Sequence, residues 1–226
     1  RIIEPRSKLA TARGLNAETL HSSLGEVMGV ESADEAELYQ AMDWLLARQN
    51  RIEDKLAQRH FSEGALTFYD ITSTYFEGQS MGNPQAKRGH SRDHRSDCKQ
   101  VCIALVVTRE GIPLAHEVFD GNRTDVTTVK EIVGKIEGRF GNADRVWVMD
   151  RGMASGANFE WLINGGRRYV IGACRSDLRR FEQQMIEAKD WQRIRDDVEV
   201  KLCPSATGNE TYILCRSEAR KEKDRA

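Results

Sequence analysis

The period of the apolar pattern first changes near residue 64. Before that point the spacing is helical. Asn16 can cap a helix on which Leu20, Leu24, Val27 and Met28 share one face, and Gly29 ends it. Residues 1–14 carry no period and read as an arm. Ser32-Ala33-Asp34-Glu35 reads as a capping box. Leu38, Met42, Leu45, Gln49, Ile52 and Leu56 follow at alternating steps of four and three, an a/d seam broken once by Gln49. This predicts one helix to about His60, stopped over 62–64, that packs on its own domain or against a partner.

Beyond residue 64 the pattern becomes that of strands. Ala65 to Phe76 is rich in β-branched and aromatic residues, and Gly78 to Asp97 is a long polar loop. Val101–Thr108 and Ile112–Phe119 read as two antiparallel strands joined at Glu110-Gly111. Thr124 then caps a helix that turns Val129, Ile132, Val133, Ile136 and Phe140 inward and stops at Gly141. Arg145–Met149 is a short buried strand, Ser155 opens a helix that ends at Asn164-Gly165-Gly166, and Tyr169–Gly172 is another strand. A helix over 177–188 is followed by a hairpin that pairs a strand near 191–203 with one near 211–215 across residues 205–209. The order β-β-β-α-β-α-β predicts an α/β fold, a mixed sheet with helices on its faces.

Composition narrows the function classes. Lys+Arg number 34 and Asp+Glu 35, which rules out a uniformly basic nucleic-acid coat but not a local basic patch. No apolar stretch approaches the roughly 18 residues of a membrane span, and there is no secretory signal. The five cysteines, Cys98, Cys102, Cys174, Cys203 and Cys215, are scattered and odd in number, which points to a reducing cytoplasm. The chain opens on Arg1 and ends without a stop signal for its last element, so it reads as a piece of a longer protein.

Two aspartates stand out. Asp70 lies mid-strand, with Leu66, Phe68 and Thr72 on its own face. Buried there, its carboxylate would need a metal, an Arg, or hydrogen bonds from Thr72, Ser73 or Thr74. Asp150 ends the apolar run Val146-Trp147-Val148-Met149 and precedes Arg151-Gly152, at the carboxyl end of a strand, where α/β sheets place ligand-binding residues. It could equally cap the adjoining turn. If the two strands are neighbours, both carboxylates can face one point, as hard cations require of oxygen ligands in phosphoryl transfer.

The loop between the first two strands carries Lys87, Arg88, Arg92, Arg95 and Lys99 against Asp93 and Asp97. Its glycines and proline are expected to make it mobile. A basic loop beside a carboxylate strand suits a phosphate backbone, which such cations position without reading sequence; the alternative is a solvated charged loop. His90, His94, Cys98 and Cys102 recur every four residues, as zinc ligands on a helix would. Gly89 and Val101-Cys102-Ile103 favour loop then strand, so zinc is not expected. There is no P-loop, no Gly-x-Ser-x-Gly and no dinucleotide fingerprint.

At these residues the chain resembles the DDE transposases of bacterial insertion sequences. Tyr69-Asp70-Ile71-Thr72-Ser73-Thr74-Tyr75-Phe76-Glu77-Gly78 is similar to their first-aspartate block, and Lys87-Arg88-Gly89-His90-Ser91-Arg92-Asp93 to their basic loop. Val118-Phe119-Asp120-Gly121-Asn122-Arg123-Thr124-Asp125 resembles their Gly-Asn-x-x-Asp stretch, and Val148-Met149-Asp150-Arg151-Gly152-Met153 their second-aspartate block. The blocks come in family order over roughly residues 32–220.

The resemblance implies a ribonuclease H-like core over 65–190. A helical region over 1–64 would serve DNA binding or dimerisation, and 191–226 would start a β-rich insertion. It implies an enzyme that nicks double-stranded DNA at transposon ends and joins the freed 3′-hydroxyl to target DNA. Asp70 and Asp150 would be two of three acidic ligands of two Mg²⁺ (or Mn²⁺) ions. Lys87, Arg88, Arg92, Arg95, Lys99 and Arg151 would contact DNA. A homodimer assembled on DNA, in the bacterial cytoplasm with the nucleoid, is the expected state.

The third acid of the related branch lies in Tyr-x-x-Arg-x-x-x-Glu-x-x-x-x-x-x-Lys. No Tyr here has Arg three residues on; after Tyr212 that position is Cys215, and Glu210, Glu218 and Glu222 lack the context. The expectation is a chain truncated before that Glu, beyond Ala226, and nearly inactive as it stands. The rival readings are a ribonuclease H-like nuclease without strand transfer, and a non-catalytic DNA-binding module.

Overall fold

The structure, a computed structural model, describes residues 6–16, 23–62, 64–205, 210–219 and 222. Its sheet is built outward from β1 (Leu66–Tyr75), where β-branched and aromatic residues favour the extended backbone. β2 (Gln100–Thr108) and β3 (Pro113–Asp120) extend it antiparallel on one side, joined through Gly111 at φ 83°. β4 (Val146–Met149) and β5 (Arg168–Ile171) extend it parallel on the other, giving the order β3-β2-β1-β4-β5. This is the mixed α/β sheet flanked by helices expected of a ribonuclease H-like core.

One face of the sheet makes the core. Tyr69, Ile71, Ala104, Val106, Trp147 and Met149 point into it, and α5 (Val129–Phe140) lays Val129, Ile132, Val133 and Ile136 across them. α6 (Gly156–Asn164) starts at Ser155, whose hydroxyl accepts from Asn158 N at 3.1 Å, and it buries Leu162. Of the inward set expected for α5, those four are buried and Phe140 packs partly buried against them, because a period of 3.6 and one apolar stripe suffice to define the face.

The amino-terminal helices depart from expectation. Residues 8–15 form α1 (Lys8–Leu15), capped by Ser7, and Asn16 is its C-cap; the helix expected to start after Asn16 would begin in residues outside the described ones. α2 (Leu24–Met28) follows Ser23 and is ended by Gly29 at φ 66°; residues 17–22, Leu20 among them, lie outside the described residues. The capping box is real but is formed by Asp34 and Glu37, not by Ser32. The predicted single helix is two, α3 (Glu35–Leu46) and α4 (Gln49–His60). The break has a local cause: Arg48 stacks on Trp44 at 3.9 Å and its Nη1 donates to the Trp44 carbonyl at 3.0 Å, capping α3. The seam is therefore not continuous. Glu53, Leu56 and Ala57 of α4 face the sheet, while α3 buries none of its residues.

α4 is fastened by charge as much as by apolar contact. Glu53, 5% exposed, pairs with Arg139 of α5 and accepts from His116 N on β3. Burial opposes its ionisation, but the hydrogen bonds from Gln49, Arg139 and His116 outweigh that and hold its pKa below the ordinary value. Residues 172–226 form a second compact unit. There, a 3-10 stretch Arg175–Phe181 and α7 (Glu182–Ile186) accompany an antiparallel sheet of β6 (Gln192–Arg195), β7 (Val198–Pro204) and β8 (Thr211–Ser217). Phe181, Cys203 and Leu214 make its small core. The strand expected over 191–203 is thus two, turning at Asp196-Asp197, and the expected hairpin turn at 206–209 lies outside the described residues. Among the described residues no helix is long and apolar enough to cross a membrane.

Candidate active site

β1 and β4 run parallel with a fixed register: Leu66 opposite Val146, Thr67 opposite Trp147, Phe68 opposite Val148, Tyr69 opposite Met149. One step further along that register stand Asp70 and Asp150. Neighbouring strands lie about 4.8 Å apart, so the two backbones run close together up to Tyr69 and Met149, the residues that precede the two aspartates. Asp150 itself keeps an extended backbone (φ −80°, ψ 174°), which carries the register one residue beyond β4.

The burial expected for Asp70 is not observed. Thr67, Tyr69 and Ile71 occupy the core face, and alternation turns Asp70, Thr72 and Thr74 to the exposed face. Asp70 therefore retains water and needs no ion pair. One Asp70 oxygen accepts from the next backbone N–H, Ile71 N, at 2.8 Å. Asp150, also exposed, caps the 3-10 turn Arg151–Met153 through Gly152 N at 2.8 Å. Each keeps its second oxygen for a further donor or a cation, and neither is paired with a basic side chain among the described residues.

A third carboxylate approaches from the stretch after β3. Asp125 opens the 3-10 turn Asp125–Thr127. A Cβ placed on Gly152 would lie 2.7 Å from Asp125 Oδ2 and 3.1 Å from Asp150 Oδ1, so both oxygens border one small space that only glycine leaves open. Asn158, 3% exposed, ties the two turns together: its Nδ2 donates to Val126 O and to Met153 O, each at 2.9 Å. Asp125 is neutralised by Arg92 of the basic loop, with Nη2 to Oδ2 at 2.7 Å. Among the described residues no three His, Cys, Asp or Glu side chains are placed to hold one metal ion. The donor set thus fits a hard cation in kind, with two unneutralised carboxylates, one inside β1 and one just after β4, and is short of the three-acid set in number.

Beneath the site, the buried Tyr69 hydroxyl and Thr128 Oγ1 lie 2.6 Å apart. Thr128 Oγ1 in turn donates to Asp125 O at 2.6 Å. Burial, with smaller effects from Asp125 and Asp70, raises the Tyr69 pKa to about 12. A raised folded-state value makes the native protein hold its proton longer than the unfolded chain, whose tyrosine titrates near 10. The associated stability is complete below about pH 10 and is lost as pH climbs to about 12, an effect of roughly 3 kcal/mol. Tyr69→Phe is expected to flatten this alkaline slope in urea unfolding at pH 9 to 12; an unchanged slope would exclude Tyr69 as its source.

The basic loop is fastened at its base. Gln100, 2% exposed, donates Nε2 to Gly121 O at 2.7 Å and to His90 O at 3.1 Å, and its backbone bridges Lys87 in both directions. A Cβ on Gly89 would overlap Gly121 O, and one on Gly121 would overlap Gln100 O. Both glycines permit close backbone approach, a role for Gly89 other than the mobility expected of the loop's glycines. Of the six cations expected at DNA, Lys87 pairs with Asp120 at 2.8 Å and Arg92 with Asp125. Arg95 grips Asp97 and stacks over Tyr75 at 4.9 Å. The hydrogen bond from Arg95 is the main reason that the Asp97 pKa falls to about 2. Arg88, Lys99 and Arg151 form no ion pair among the described residues. Arg92 meets Asp125, and Arg151 follows Asp150 directly in the sequence. A cavity of about 840 Å³, lined by Phe61, Phe140 and Arg145 among others, lies toward the amino-terminal ends of β1 and β4 and includes neither aspartate.

The fold is a five-stranded mixed sheet flanked by helices, of the ribonuclease H-like kind, with Asp70 inside β1 and Asp150 just after β4. The model of the transposase DDE domain family matches residues 62–220, and the chain belongs to that family. No curated protein matches the sequence. Among solved structures it is similar to the piggyBac transposase synaptic complex with hairpin DNA, at 11% identity and TM-score 0.34, over 76% of this chain and 39% of that one. It is also similar to the Mos1 transposase paired-end complex with left transposon end, at 10% identity and TM-score 0.34, over 63% of this chain and 54% of that one. The chain thus spans about half or less of the length of these two structures.

Proposed function

We propose that Asp70 and Asp150 are two carboxylate ligands of the divalent-metal centre of a DDE transposase, an enzyme that cleaves double-stranded DNA at insertion-sequence ends and joins them to a target. The observation that supports this reading is the parallel β1–β4 register, whose last pair, Tyr69 with Met149, immediately precedes the two aspartates. A bound Mg²⁺ or Mn²⁺ pair would supply an activated oxygen nucleophile and neutralise charge on the phosphate. This chain's own residues would orient the ions and the DNA. Asp150 is locked in direction by its cap to Gly152 N, and Asp70 by Ile71 N. Arg88, Lys99 and Arg151, with no acidic partner among the described residues, are the cations freest to meet phosphates, and Lys87, Arg92 and Arg95 reach them only by sharing or exchanging theirs. Homodimer assembly on DNA belongs to the same proposal, with 1–64 serving binding or dimerisation and 191–226 opening a β-rich insertion.

The test reads metal directly. Fe²⁺ with ascorbate and peroxide, substituted for Mg²⁺, is expected to cut the polypeptide near residues 70 and 150. Asp70→Asn and Asp150→Asn should each remove both cuts. Cuts that persist in both variants, or that fall elsewhere, would place the metal away from this pair and end the reading.

A further inference from the structure

We infer that Asp125 is a positioning residue for Arg92: it holds one cation of the basic loop over the strand end that carries Asp150, ready for a phosphate bound there. The inference rests on the Asp70/Asp150 reading and adds to it a residue that carries no metal.

The contacts run in one direction. Asp125 is fixed from below. Thr128 N and Oγ1 both donate to its carbonyl, at 3.1 and 2.6 Å, and the Thr128 hydroxyl also meets buried Tyr69, the neighbour of Asp70. It is fixed from the side by Asn158, which bonds the turns of Asp125 and Asp150 to each other. Its carboxylate then points past Gly152, where its Oδ2 and Asp150 Oδ1 border the same space. The remaining partner is Arg92, at 2.7 Å. A guanidinium held by one oxygen keeps other N–H groups for a second acceptor. Arg92 is two-fifths exposed and Asp125 less than a third, so water and a phosphate can reach the pair. An exposed pair of this kind adds little to stability. What Asp125 fixes is where the Arg92 charge stands. Without it, Arg92 sits on an exposed loop tip whose other fastenings lie at Lys87, His90 and Ser91.

The sign of one experiment separates positioning from plain electrostatics. Binding of the 226-residue chain to a fluorescent duplex of mixed sequence would be measured by anisotropy across a salt series, with and without Mg²⁺. Arg92→Ala should lower the slope of log affinity against log salt by about one phosphate contact. Asp125→Asn removes a negative charge, so electrostatics alone predicts tighter binding. Positioning predicts that Mg²⁺-dependent binding weakens, about tenfold, the size of one charge-assisted hydrogen bond. Asp125→Glu, which keeps the carboxylate, should recover part of that loss, and circular dichroism should show all variants folded. Tighter or unchanged Mg²⁺-dependent binding by Asp125→Asn, or no recovery by Asp125→Glu, overturns the inference. If Asp70→Asn and Asp150→Asn leave the Mg²⁺ increment intact, the carboxylate-pair reading itself fails, independently of Asp125.

Discussion

Made in a protein that carries the complete set of three acids, Asp150→Asn is expected to lower metal-supported DNA strand cleavage on the order of a thousandfold or more, with DNA affinity in the absence of metal unchanged or slightly higher. Asparagine keeps the shape of the side chain and its acceptor for Gly152 N, so the cap on the 3-10 turn survives. What goes is the charge that makes an oxygen a strong ligand for a hard cation. Asp70→Asn should fall as far, and the double variant should be little worse than either single one, because both act on one centre. Cleavage and joining of a duplex carrying a transposon end, timed for the three variants, decides this. Activity within tenfold of the parent in either single variant would leave the carboxylates a structural role only. The thermal midpoint should hardly move, since both side chains are exposed.

The second large effect concerns the loop. Gly121→Ala is expected to destabilise the domain by about 3 kcal/mol. The added Cβ would overlap the Gln100 carbonyl oxygen and press on Lys87 O at 2.5 Å, and both are backbone atoms that cannot rotate away. The buried Gln100 side chain would lose its 2.7 Å bond to Gly121 O, which leaves a donor without a partner in the interior. Because the same contacts anchor residues 87–90, DNA affinity should fall with stability and should show a shallower salt dependence. Urea unfolding and the salt series on one preparation test both halves. A variant as stable as the parent would mean that β2 and the 120–122 turn can part without cost.

What the sequence disclosed and what it hid divide along physical lines. α5 and the five strands of the main sheet were legible because apolar period and Gly or Asn stops are local properties. Asp70 and Asp150 were legible for the same reason, as charged residues in or just after apolar strands. Which way Asp70 faces was not, because a strand with apolar residues on both faces does not say which face the helices will cover; Tyr69 and Ile71 took it. The split between α3 and α4 was hidden because it depends on Arg48 folding back on Trp44 and not on Gly or Pro. Asp125, Asn158 and Gln100 gave almost no signal of their role. Each acts through a backbone carbonyl or a cation brought close only by the tertiary fold. The sole hint was that Asp125 closes a motif with Gly121, whose crowding is likewise invisible until β2 and the loop meet.

The register of β1 against β4 has one more consequence. The spacing of the two backbones that lead to the aspartates is set by the repeat of the sheet itself, about 4.8 Å from strand to strand, and not by how side chains pack around them. Metal ions in two-ion sites stand about 3.5–4 Å apart, a comparable length. On the proposed reading, the backbone ladder would act as a ruler for the two ligands. Substitutions at Val129, Ile132 or Trp147 can alter the thickness of the core beneath without recalibrating it, provided the hydrogen bonds between the two strands persist. Drift in the core and constancy at the site are then compatible within one small domain.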